Sequence, residues 1–268
     1  MERMIPRSST ELKQLGRAVS VPLAAIAVYY LLAFAFANLI HYTIGDNNVL
    51  LTMLVDITGA VIGILVLRKQ KFVKSENAAA TPGKLGYVMT MSAVCAFVSN
   101  VLVEYLMRYV FYDQLMAKYS ENMSQNQTST SPVIVILSYT TTIIAAPIME
   151  EILFRGFIFR PMYEYNKIFG YIFSALMFAL IHNTLMHLIV AMPMGLAFAF
   201  VYAKTGKIRY NIIMHAVFNG MTAILGLASA FRLWMMNPMF VMLCAVIYIT
   251  LLVILFIFGS DANKKKEE

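Results

Sequence analysis

Long apolar runs separated by short basic stretches dominate the sequence, and that spacing restricts the chain to a fold that lives in a membrane. About 20 apolar residues cross the hydrocarbon core as one helix, because lipid cannot satisfy an exposed backbone N–H or C=O. Eight such runs are legible, at roughly 20–40, 49–67, 86–110, 132–149, 169–186, 188–203, 211–231 and 239–258. The run at 188–203 is short and the one at 132–149 can extend toward Pro161, so the count can change by one. Composition supports the same class: 60% of the 268 residues are hydrophobic and 13% charged, against about 25% charged in soluble domains. The expected fold is all-α, a polytopic transmembrane helix bundle of about eight spans. It forms a single integral membrane domain over 1–268, with no separate soluble domain.

Lysine and arginine set the expected topology. Arg3, Arg7, Lys13 and Arg17 precede the first run, Arg68, Lys69, Lys71, Lys74 and Lys84 follow the second, and Arg155, Arg160 and Lys167 follow the fourth. Lys204, Lys207 and Arg209 follow the sixth, and Lys264, Lys265 and Lys266 close the chain. The alternate loops hold only Lys118 and Arg232, so both termini are expected in the cytoplasm. The apolar run after the basic segment Met1 to Arg17 is too long for a signal peptide and reads as the first span. The loop at 112–131 is expected outside the cytoplasm; it is polar and carries two N-x-S/T sequons, at Asn122 and Asn126. The net charge of +7 does not point to nucleic acid, because the basic residues flank apolar runs, where topology and anionic lipid account for them. Cys95 and Cys244 sit inside apolar runs and form no disulfide framework.

An ionisable group inside a membrane helix costs about 2.5–3.5 kcal/mol and defaults to a functional hypothesis. Such groups concentrate in the second half of the chain. In Pro147-Ile-Met-Glu150-Glu151-Ile-Leu-Phe-Arg155-Gly156, Glu151 and Arg155 share a helix face at i, i+4 and can pair, while Glu150 is turned about 100° away. Phe178 and His182 also share a face at i, i+4, as do His215 and Asn219. Each segment has an ordinary explanation by itself: a helix end with salt bridges, a hydrogen-bonded core histidine, a structural His–Asn network. Together they supply a general base in Glu150, histidines able to act as acid, base or ligand, and a neutral donor in Asn219 suited to an oxyanion. Glu and two His also make a plausible zinc set, and the spacing leaves this open.

In their order, Glu150-Glu151…Arg155, Phe178…His182 and His215…Asn219 resemble the signature of the CAAX-protease and bacteriocin-processing family of intramembrane proteases. The motifs cover roughly 147–220, under a third of the chain. The resemblance implies that Glu150, assisted by His182, activates the hydrolytic water, and that His215 and Asn219 stabilise the oxyanion. It implies that Glu151 and Arg155 orient Glu150, with Phe178 in support. It leaves two chemistries open: a zinc enzyme with Glu150, His182 and His215 as ligands, or a glutamate-type protease that needs no metal.

The leading expectation is therefore an intramembrane endopeptidase of a bacterial plasma membrane. Its partners are the lipid bilayer and a peptide or membrane-protein substrate of leader or prenylated type, with no nucleic acid. The alternative is a non-catalytic immunity or scaffold protein whose polar residues form a structural network. A transporter with a buried proton relay fits less well, because no repeat is visible and the polar residues cluster in one half. One geometric problem stands in the sequence: Glu150 and His215 fall near the cytoplasmic ends of their runs and His182 some 13 residues into the fifth. The three converge only if the fourth helix continues past Glu150, or if the fifth is broken or starts outside the bilayer.

Overall fold

The computed structural model describes residues 9–44, 48–69, 90, 92–102, 131–182, 185–227, 237–247 and 249–250. The polar loop expected at 112–131, with Asn122 and Asn126, lies outside them except for Ser131. The regular structure of the described residues is helical, with no strand among them, as the apolar runs predict. The helices are α1 (Ser9–Ile44), α2 (Asn48–Lys69), α3 (Ser92–Leu102), α4 (Pro132–Tyr165), α5 (Lys167–Leu180), α6 (Leu185–Thr205), α7 (Ile208–Leu227) and α8 (Pro238–Ile247). Each of the eight expected runs contains or overlaps one of them. Residues of α1, α2 and α4 form helices long and apolar enough to cross a membrane. Leu23, Leu31 and Phe34 of α1 and Val133 and Ile136 of α4 are exposed, a surface suited to lipid tails rather than water.

The helix around the fourth run is the most informative. It does not stop at 149 but continues for 34 residues to Tyr165. Two stretches within it, Thr141–Ala145 and Ile152–Phe159, widen to π-type turns. Each is followed within two residues by a proline, Pro147 and Pro161. Proline lacks the N–H that would close the turn, and its ring presses on the carbonyl four residues back. Local π geometry relieves that conflict without ending the helix.

The chain divides into two compact units. The first takes the described residues of 1–78 and 144–212, the second those of 79–143 and 213–268. In the first unit the chain reverses at Asn166, whose backbone is extended (φ −151°, ψ 120°) and whose Oδ1 accepts the Phe169 N–H at 3.0 Å, capping α5. Gly170 makes the reversal tight: a Cβ there would lie 2.7 Å from the Tyr163 backbone. α5 packs on α6, where Gly195 meets Ala175 closely. α6 ends at Gly206, whose φ of 62° is the left-handed conformation that glycine supplies at a helix end. Phe159, Tyr163, Tyr171 and Tyr202 close the base of this unit as an aromatic cluster. α1 and α2 pack against α4 from its other side, with Gly59 against Met149 and Leu67 against Gly156.

In the second unit α3 and α7 run parallel. Ser92 Oγ donates to the Met214 carbonyl, and eight residues further along both helices Asn100 Nδ2 donates to Thr222 Oγ1 at 3.1 Å. Side-chain hydrogen bonds of this kind hold membrane helices together where no hydrophobic force acts between them.

Candidate active site on the α4–α5 hairpin

Glu150 and Glu151 lie on the short α-helical stretch Ala146–Glu151, between the two π-type segments of α4. Their environments differ. Glu151 is fully buried, whereas Glu150 is half-buried. The 100° offset read from the sequence becomes a separation of surroundings.

Glu151 is the centre of a buried polar knot. Its Oε2 pairs with Arg155 Nε at 3.1 Å, both side chains being 0% exposed. Arg155 Nη2 donates to the Gly195 carbonyl at 3.0 Å. Its guanidinium also stands 4.8 Å from the Phe178 ring centre and 5.2 Å from that of Phe198, within cation–π range. A second donor reaches Glu151 from α7: Asn211 Nδ2 lies 3.2 Å from Oε2 and 2.6 Å from the Phe198 carbonyl. Both neighbours are acceptors, which fixes the orientation of the amide. A buried charge needs this many partners, because an unpaired one costs several kcal/mol. The knot ties α4 to α6 and to the first turn of α7.

Phe178 and His182 sit at the far end of α5. Phe178 is buried, edge-on to Phe154 at 5.2 Å and to His182 at 5.3 Å. His182 lies just past the helix end, and its Nδ1 is 2.9 Å from the Phe178 carbonyl. A carbonyl only accepts, so Nδ1 is the donor of this contact. The hairpin determines which residue of α4 His182 meets. Tyr163 touches Gly170, Phe159 faces Tyr171 at 5.3 Å, and the Phe154 carbonyl accepts from Ser174 Oγ at 3.1 Å. The next rung is Phe154 against Phe178. One turn further on each arm stand Glu150 and His182, each four residues beyond this rung. The fourth helix does continue past Glu150, one of the conditions for convergence read from the sequence.

His215 and Asn219 belong to the second unit. His215 is buried. Asn219 Nδ2 donates to the Thr142 carbonyl at 2.8 Å, within the first π-type segment, where the ordinary ladder of backbone bonds is interrupted. Within each unit, among the described residues, no three His, Cys, Asp or Glu side chains gather as a metal site.

Two polar residues of the first unit are absent from the motif reading. Asn211 is fully buried in the knot; its signal was its place four residues before His215, continuing the same polar stripe along α7. Asp56 is buried in α2, at 3% exposure, and its Oδ2 has no hydrogen-bond partner among the described residues. Its signal was that it is the sole charged residue in the run 49–67. Asp56 and Glu150 are close enough to interact electrostatically, and Tyr29 of α1 feels both.

Comparison with known proteins agrees with the resemblance carried by the three motifs. Residues 130–221 match the family described as type II CAAX prenyl endopeptidase Rce1-like. Over 97 residues the chain is 38% identical to YdiL of Bacillus subtilis (strain 168), a protein named as a membrane peptidase; the match covers 36% of this chain and 38% of the relative. Over 93 residues it is 34% identical to the membrane-embedded CAAX protease MroQ of Staphylococcus aureus (strain USA300), covering 32% of this chain and 38% of the relative. The chain thus spans about two fifths of the length of the curated relatives it matches. No solved structure matches. These similarities and the three long apolar helices make the chain an integral membrane protein. The matched region holds Glu150, Glu151, Arg155, Phe178, His182, Asn211, His215 and Asn219; Asp56 lies outside it.

Proposed function

We propose, from the premise that residues 130–221 belong to the CAAX-protease family, that the chain is an intramembrane endopeptidase hydrolysing peptide bonds of membrane-associated substrates. The observation that supports the reading is the α4–α5 hairpin, on which half-buried Glu150 stands one turn beyond Phe154 and His182 one turn beyond Phe178, rings that meet edge-on, next to a knot that immobilises Glu151. In the proposed reaction a water oxygen attacks the scissile carbonyl carbon. Glu150 takes the proton that the water loses, His182 Nε2 helps to orient it, and the proton passes to the leaving amine as the C–N bond breaks. Glu151, Arg155 and Phe178 hold the turn that presents Glu150. His215 and Asn219 are assigned the oxyanion on their motif positions; the Asn219 amide keeps a second N–H for such a role.

If zinc is needed, Glu150, His182 and His215 are the residues that motif order nominates to hold it, and a chelator tests the requirement. The membrane is proposed to be a bacterial plasma membrane, because both relatives come from bacteria, and the substrate a leader-type or prenylated peptide or the end of a membrane protein.

The experiment compares wild type with Glu150→Gln, both purified in detergent and shown by thermal melt to be equally folded. Each is incubated with a membrane-peptide library read by mass spectrometry, with and without chelator. Cleavage by wild type alone is expected. Equal cleavage by the variant would refute the mechanism. Two folded proteins that cut nothing would favour the alternative, a membrane scaffold in which the polar residues only build structure.

A further inference from the structure

Between α1, α2 and α4 of the first unit lies an apolar groove of about 300 Å³. Small residues make room for it, Ala24 and Ala25 on α1 and Gly59 and Gly63 on α2. Met149 and Leu153 of α4, both buried, line its floor, whereas Val28 and Val66 on its rim are 44% and 42% exposed. In a membrane such a rim faces lipid, so an occupant enters sideways from the bilayer. Along α1 the lining runs from Val21 to Leu32, eleven residues or about 16 Å of helix. Half of a hydrocarbon core of about 30 Å is about 15 Å. The groove is therefore about as long as one leaflet is deep.

The end at Val21 and Phe157 is charged. On α1, Val21, Ala25 and Val28 recur at helical spacing, and the same stripe carries Arg17 one turn before Val21 and Lys13 one turn before that. On α4, the stripe of Leu153 and Phe157 continues to Arg160 and Glu164. The two stripes meet: Arg17 Nη1 lies 3.9 Å from Glu164 Oε2, and Arg160 Nε lies 3.1 Å from Glu164 Oε1. One carboxylate thus answers three cations. Glu11, also on α1, is six residues before Arg17 and turned about 240° away. The Arg17 side chain is 60% exposed, and its distance to Glu164 is too long for a hydrogen bond. Among the described residues it has no other partner. An accessible guanidinium in surplus over the local carboxylate suits a phosphate, which its planar fork can hold by two hydrogen bonds. A phosphate one helical turn from an apolar groove of leaflet length, open to the bilayer, describes an anionic phospholipid.

We infer that the α1–α2–α4 groove binds one anionic phospholipid, with an acyl chain between α1 and α2 and the phosphate on Arg17. The inference goes beyond the peptidase reading and does not depend on it. Its bearing on that reading is mechanical: the chain rests on Met149, the residue before Glu150.

The test reads binding in uncharged detergent. Wild type, Arg17→Gln, Arg68→Gln and Ala24→Phe are melted against dioleoylphosphatidylglycerol, dioleoylphosphatidylcholine or inorganic phosphate. The anionic lipid is expected to stabilise wild type at about fivefold lower concentration than the zwitterionic one, the range of one basic residue at an anionic surface. Arg17→Gln abolishes that difference. Arg68→Gln keeps it, because this exposed cation stands nine residues and so two and a half turns from Gly59, on the opposite face of α2. Ala24→Phe places a ring in the groove from an exposed position and weakens both lipids. Wild type that does not distinguish the lipids, or Arg17→Gln that still does, overturns the site. Equal loss of the preference in Arg68→Gln overturns it too, as diffuse surface charge. Inorganic phosphate acting at the concentration of the anionic lipid, or Ala24→Phe responding to lipid like wild type, overturns the acyl chain as the occupant of the groove. The melt involves no cleavage, so its outcome is separate from that of the Glu150→Gln experiment.

Discussion

Arg155→Ala should be the most damaging single substitution in the first unit outside the hairpin turn. The side chain is 0% exposed and contributes an ion pair to Glu151 at 3.1 Å, a hydrogen bond to the Gly195 carbonyl at 3.0 Å and two cation–π contacts, to Phe178 and Phe198. The ion pair dominates the cost, because its loss leaves the Glu151 carboxylate buried without the Arg155 counter-charge. Removing one partner of a buried pair costs about 3–5 kcal/mol. At roughly 2–4 °C per kcal/mol for a chain of this size, the melting temperature should fall by about 6–20 °C. Circular dichroism at 222 nm in a fixed detergent reads it. The control is Glu151→Leu with Arg155→Met, which removes both charges together. Since paired buried charges are often replaceable by apolar groups at little cost, the double variant should recover most of the loss. A single variant within 2 °C of wild type, or a double variant worse than the single, would refute the claim that the knot is held by charge compensation.

Three further outcomes are expected. Gly170→Ala forces a Cβ to within 2.7 Å of the Tyr163 backbone, so the α4–α5 reversal must shift at a cost of about 1–3 kcal/mol; the same melt checks it, and an unchanged melting temperature would mean the two arms are less tightly apposed. Asn219→Ala loses one hydrogen bond, to Thr142, worth about 0.6 kcal/mol between membrane helices; a small stability loss with a fall in kcat of about 10²–10³ would mark the oxyanion role, and proportionate losses in both would mark a structural one. Asn211→Leu removes a donor to Glu151 and to Phe198. Combined with Glu151→Gln it should be less than additive in thermal stability, because both act on one knot; strict additivity would refute their coupling.

Much of the site was legible because its signals are local. Spacing at i, i+4 anticipated that Glu151 and Arg155 share a face, and the structure finds them paired. The division between a fully buried Glu151 and a half-buried Glu150 follows from the same helical geometry. Asn211 was harder to see, since a lone Asn near a helix start reads as a capping or interfacial residue; its two acceptors, on α4 and α6, lie 60 and 13 residues away in sequence. Asp56 was visible as an oddity in an apolar run, but nothing in its own helix names the residues it meets.

By itself the sequence determined that the chain is helical and lives in a membrane, because lipid admits few ways of satisfying a backbone and the apolar runs match one of them. It also determined which residues are candidates for chemistry, because polar side chains in such runs are too costly to be incidental. Tertiary structure alone decided the surroundings of those residues, Glu151 fully buried in its knot and Glu150 half-buried beside it. Whether a helix stops at Glu150 or continues to Tyr165 turns on how Pro147 and Pro161 are accommodated. Which residues of α4 the α5 arm meets turns on the register of a hairpin closed at Asn166 and Gly170. Both are decided by contacts between helices, which a one-dimensional pattern of hydrophobicity does not encode.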